Sequence, residues 1–139
     1  MLAVLATAAA LLAAPQASAL LPQTANLPLG PNSTVSADCG GLGADIAREP
    51  ERVCVGVPAA SLDAELRFYV AEAAARGWPV VGARETAIQL ERKHATGGAC
   101  DALVIVAYSP ETADGALPPE IFILFGFDAD IPCLAPTTP

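Results

Sequence analysis

The sequence predicts an α+β domain: one helix packed on a small antiparallel sheet, in the order α-β-β-β-β, forming a two-layer sandwich with two disulfides. Three observations carry this. Residues 61–76 have helical periodicity between a capping serine and a glycine. The segments after Pro79 alternate or run apolar at strand length, with connections too short for crossover helices. Four cysteines follow an export-type N-terminus. A chain of 139 residues holds one domain.

Residues 1–19 (MLAVLATAAALLAAPQASA) carry no charged side chain, and the apolar run from Leu2 to Ala14 is broken only by Thr7. As a helix this run spans roughly 20 Å, short of the ~30 Å hydrocarbon core of a bilayer. It fits the apolar region of a secretory signal peptide, with Ala17-Ser18-Ala19 as the cleavage site and Leu20 as the first mature residue. The usual Lys or Arg ahead of that region is missing, so the start of translation is open. After cleavage near Ala19 no stable membrane anchor is expected, and the 53% apolar share falls to that of an ordinary globular domain.

Residues 20–37 hold three prolines, one glycine and no charge, and read as an extended, poorly ordered leader that Leu27 and Leu29 can pin to the domain surface. Asn32-Ser33-Thr34 matches a glycosylation sequon, relevant only in a eukaryotic secretory route. Residues 38–139 are read as the single domain. The cluster Gly40-Gly41-Leu42-Gly43 has no lysine nearby to serve a phosphate, so residues 38–60 read as a turn inside a disulfide loop.

In residues 61–76, Ser61 stands as N-cap, Asp63 and Glu65 lie at the positive end of the helix dipole, and Gly77 is a natural terminator. Leu62, Leu66, Tyr69, Val70 and Ala73 share the expected core face, and Phe68 falls opposite. Trp78-Pro79 turns the chain into strands. Val80-Val81 begins a short one. Residues 86–92 alternate cleanly, as a half-solvated strand near an edge does. Residues 102–108 and 121–127 are apolar on both faces and read as central strands, the second bulged at Gly126. If they form a hairpin with Ala102 opposite Phe127, Cys100 and Cys133 come close. That pairs Cys100 with Cys133 and leaves Cys39 with Cys54. On the chain-entropy model each bridge contributes about 3–4 kcal/mol. No C-x-x-C spacing exists, which disfavours a thiolate metal site or a redox motif.

The order of helix, Arg76-Gly77-Trp78, strand and meander over residues 61–127 resembles that of small exported proteins of Gram-negative bacteria, and the resemblance implies no activity. The Ala-rich, Lys-poor composition agrees with a GC-rich bacterial genome, and hence with the periplasm or the medium.

The formal charge is −8, and no Lys or Arg follows Lys93. This argues against nucleic acid and against a polybasic hold on lipid. Six acids follow Lys93, and Glu111, Asp114 and Glu120 among them fall in the connection Ser109–Glu120. That connection is long for a hairpin, and it reads as a candidate binding loop for an unknown protein or small ligand. The single histidine, His94, reads as a solvated loop residue. Asp128 and Asp130 at i,i+2 would share a side and chelate a hard cation such as calcium, but without further acids beside them they read as a solvated strand end. No catalytic residue, metal site or cofactor is read. The expected role is that of an exported, non-catalytic binding module. The alternative is a small hydrolase working through two carboxylates.

Overall fold

The computed structural model describes residues 20–42 and 51–134. The expected signal peptide at 1–19 lies outside them. Six strands form one antiparallel sheet: β1 (Thr34–Val35), β2 (Arg52–Pro58), β3 (Val80–Arg84), β4 (Ala87–Lys93), β5 (Ala99–Tyr108) and β6 (Glu120–Pro132). A single α-helix among the described residues, α1 (Leu62–Ala75), lies between β2 and β3 in sequence. The spatial strand order is β1-β2-β6-β5-β4-β3. The chain is thus a meander from β3 to β6, extended by two strands that precede the helix.

Those two strands correct the expected α-β-β-β-β order. In β2, Val53, Val55 and Val57 alternate with Cys54 and Gly56, and Val55 and Val57 are fully buried. The period is that of a strand, but the glycines, cysteine and terminal Pro58 around it gave the segment the composition of a loop. Two-residue β1 shows no period at all; it exists because β2 offers it an edge.

The β5–β6 register also differs from the expected one. Leu103 pairs with Phe127 and Ile105 with Phe125, which puts Ala102 opposite Asp128. A shift by one residue would separate Leu103 and Ile105 from the apolar set of β6 that shares their face. Facing Leu103, Ile105, Ile123 and Phe125 are Tyr69 and Ala73 of α1, within one buried cluster. Each fully buried side chain of this size contributes about 1.5–3 kcal/mol. Register continues unbroken through Gly126; the irregularity falls at Cys100/Ala102 instead. The sheet's other face carries a smaller cluster of Cys39, Cys54 and Phe122, with Tyr108 and Leu124 beside it.

Helix α1 begins after a short 3-10 turn at Ala59–Ser61, so Ser61 occupies the N-cap position without making a side-chain capping bond. Its end is a Schellman motif. Gly77, at φ +82°, donates to the Ala74 carbonyl, and Trp78 N–H donates to that of Ala73. That turn delivers Trp78 into the core, where the Arg92 guanidinium lies 4.4 Å from its ring centroid. Phe68, expected on the outer face, packs partly buried against the core, its ring T-shaped to that of Tyr69.

Residues 20–37 are not a loose leader. Leu21 and Leu27 form an antiparallel bridge and are buried in the main core with Ala25, and Leu29 packs against it. The anchor is a buried carboxylate. Glu65, 1% exposed, accepts the Asn32 backbone N–H at 2.9 Å, Asn32 Nδ2 at 3.0 Å and the Ser33 hydroxyl at 2.6 Å. Behind it runs a second chain of donors: Gly30 N–H to the Tyr69 hydroxyl, and Tyr69 to Ser33 Oγ. Burial, chiefly, pushes the Tyr69 pKa up, which keeps it a neutral donor. The sequon residue Asn32 is thereby a structural partner of Glu65. At Gly30 a Cβ would stand 2.0 Å from Glu65 Oε2 and 2.9 Å from the Tyr69 hydroxyl, so only glycine lets the strand of donors lie this close.

Two disulfides cross-link the sheet. Cys39–Cys54 ties the segment after β1 to β2, with Cα atoms 5.6 Å apart. Cys100–Cys133 ties β5 to the end of β6 at 5.1 Å. Among the described residues no helix is long and apolar enough to cross a membrane.

Replacing Glu65 by Ala removes the acceptor for three donors and is expected to cost about 2–4 kcal/mol in urea unfolding. Hydrogen exchange should speed up most in residues 20–35. Gly30→Ala should act in the same direction. An unchanged urea midpoint in Glu65→Ala would refute the clamp.

Candidate functional site

Two surfaces gather chemistry-bearing residues: the β5–β6 connection, and the opposite end of the same hairpin.

Residues 109–119 fold on themselves. Gly115 N–H donates to the Thr112 carbonyl, Thr112 Oγ1 to the Ala116 carbonyl at 2.5 Å, and Ala116 N–H to Asp114 Oδ1 at 3.2 Å. The base is docked where Ala59 N–H donates to the Pro119 carbonyl, next to the start of α1. The turn encloses a shallow pocket of about 450 Å³ lined by Ser109, Pro110, Glu111, Thr112, Gly115, Ala116 and Leu117. Of the three acids expected here, Glu111 is exposed at the pocket. Asp114 is engaged by its own turn, and the Ala116 N–H, chiefly, holds its carboxyl below the usual range. Glu120 turns away: its carboxylate lies over Gly56 of β2, so close that a Cβ there would meet Oε1 at 2.9 Å. Leu117 is the most exposed large apolar side chain among the described residues, at 73%.

At the other end, β6 carries one more residue than β5 between the pairs Cys100–Ile131 and Ala102–Asp128. The surplus residue forms a bulge in which Asp130 takes a left-handed conformation, φ +54°. Its N–H donates to Asp101 Oδ1 at 3.3 Å. His94, held by its backbone N–H to the Ala99 carbonyl, brings its ring between two carboxylates. Nε2 lies 2.7 Å from Asp101 Oδ1, and Nδ1 lies 3.5 Å from Asp130 Oδ1. Arg92 stands on the far side of Asp101, 3.6 Å from Oδ2. One ligand-type atom from each of His94, Asp101 and Asp130 falls within 4.8 Å of the others.

The bulge also separates two residues that the sequence placed together. Asp128 faces Arg52 at 3.7 Å, whereas Asp130 faces His94. In an unbulged strand i and i+2 share a face; one extra residue sends them to different partners. His94, read from sequence as solvated, is tied to Asp101. No sequence signal showed this, because the two residues meet through the β4–β5 register. A further cluster, Glu91 with Cys100 and Cys133, has both sulfurs committed to the disulfide. Glu91 itself is buried, accepting from Gln89 Nε2 at 3.2 Å and from Leu134 N–H at 2.9 Å.

No family model matches the chain, and neither a curated protein nor a solved structure matches it.

The Asp101 hydrogen bond, first, and the charges of Asp101 and Asp130 raise the His94 pKa above its ordinary 6.5; the same bond lowers that of Asp101. A raised imidazole pKa contributes stability below its unfolded value and loses it as pH rises through the folded one. A lowered carboxyl pKa contributes above its unfolded value and loses it as pH falls through the folded one. Their shared contribution is therefore confined to mildly acidic pH. An NMR titration of His94 should give a midpoint above 6.5, and Asp101→Asn should bring it back down. A wild-type midpoint at or below the ordinary value would contradict the pairing.

Proposed function

We propose that this chain is a small exported domain, periplasmic or secreted, that acts by binding and not by catalysis, and that residues 109–119 form its recognition loop. Two disulfides support a compartment outside the reducing cytosol. The observation that carries the recognition loop is Leu117, 73% exposed on a turn closed by its own hydrogen bonds. A single exposed leucine is ordinary on a protein surface. Here the turn holds it beside exposed Glu111 and Asp114, giving an apolar contact within an acidic rim. Such a loop suits a partner with basic groups around an apolar patch, and its prior order lowers the entropy cost of docking.

Expression of the full chain in a Gram-negative host tests the export half. Intact mass should show a chain beginning at Leu20, four hydrogen atoms lighter than its reduced form. Cytoplasmic retention with four free thiols would overturn it. For the loop, the wild type and Leu117→Asp are used as baits against a periplasmic extract. A protein held by the wild type and lost with Leu117→Asp, at equal thermal stability, supports the reading. Identical captures, or none by either bait, refute it.

A further inference from the structure

The sheet end that carries the bulge holds an arrangement that the loop reading does not use. We propose that His94 and Asp130 chelate a divalent transition-metal ion of the zinc class, with Asp101 orienting the imidazole.

The argument begins with the ring proton. Asp101 Oδ1 accepts at 2.7 Å from His94 Nε2, which assigns the N–H of the neutral imidazole to that nitrogen. The opposite nitrogen, Nδ1, then presents its lone pair to Asp130 Oδ1 at 3.5 Å. On the imidazolium a proton on Nδ1 offsets the Asp130 charge; on the neutral ring the lone pair of Nδ1 and the carboxylate repel, and a metal cation between them restores the attraction. Two ligands each about 2.0–2.2 Å from one zinc ion stand roughly 3.0–3.5 Å apart at octahedral to tetrahedral angles. The observed separation falls at the upper end of that span. The carboxylate–histidine–metal order, with an acid on the far ring nitrogen, is the usual way in which a protein fixes the tautomer of a metal-binding histidine.

The backbone holds these groups in advance. His94 is closed onto Ala99, Asp130 is aimed by the bulge and tied to Asp101, and Cys100–Cys133 staples the two strands beside it. Imidazole with carboxylate is a donor set for zinc, copper or nickel, less for calcium, which takes oxygen only. Arg92 neutralises part of the Asp101 charge from the Oδ2 side and does not stand between Nδ1 and Asp130. With two protein ligands, the rest of the coordination sphere is water.

Zinc chloride titrated into the tag-free, disulfide-intact chain by isothermal calorimetry should show one saturable site. His94→Gln and Asp130→Asn should each weaken it at least about tenfold. Asp101→Asn should weaken it by about 10–100-fold while leaving one equivalent bound. In nitrogen-correlated NMR, zinc should shift His94 Nδ1 and leave Nε2 protonated; this readout would not respond to a merely structural role. His94 and Asp130 are surface side chains, so all three variants are expected to fold, which circular dichroism checks. The proposal is overturned by the absence of a saturable site, by zinc binding that survives His94→Gln, or by a metal shift at Nε2.

Discussion

The pairing of β5 with β6 is the constraint on which the rest of the molecule depends. It is the central pairing of the sheet, with β4 added on one side and β2 on the other. Its register sets which side chains of both strands face α1, and therefore which cluster forms the core. Because the side-chain period is two, no slip by one residue leaves that core intact. The same pairing brings Cys100 to Cys133 and places the surplus residue of β6 where Asp130 meets Asp101. Core, disulfide and the His94 cluster are thus consequences of a single alignment.

A second constraint ties the N-terminal segment to this sheet. Burying a carboxylate costs free energy unless its lone pairs are satisfied. Glu65 meets that condition with donors from Asn32 and Ser33, and Tyr69 orders the Ser33 hydroxyl. Leu21 and Leu27 then reach the core on a segment with no regular structure beyond one bridge. Polar satisfaction and apolar burial support each other here: without the carboxylate the donors would be orphaned, and without the leucines the segment would have little reason to stay.

The two ends of the central hairpin differ in character. One carries a turn closed by short-range hydrogen bonds that holds Leu117 outward. The other carries residues far apart in sequence, drawn together by register and stapled by a disulfide. A local turn tolerates substitution well, whereas a cluster assembled from β5, β6 and the residue that follows β4 depends on the whole sheet.

Local patterns determined a good deal of this protein. The period of residues 61–76, the terminator Gly77 and the apolar runs of the later strands specify the helix and the meander, because each depends on near neighbours and backbone preference. The loop acids and the charge asymmetry were likewise legible. What tertiary structure alone decided is where distant segments meet. Glu65 reads as a dipole partner in a first helical turn, yet it is a buried acceptor, since its donors lie more than thirty residues away. Strand β2 needs β6 to exist, and β1 needs β2. Asp128 and Asp130 look like a pair until the bulge divides them, and His94 looks solitary until the sheet brings Asp101 to it. The physical reason is common to all of these. Periodicity encodes which face a residue takes, but the partner on that face is set by pairing register and side-chain satisfaction, which only the folded chain defines.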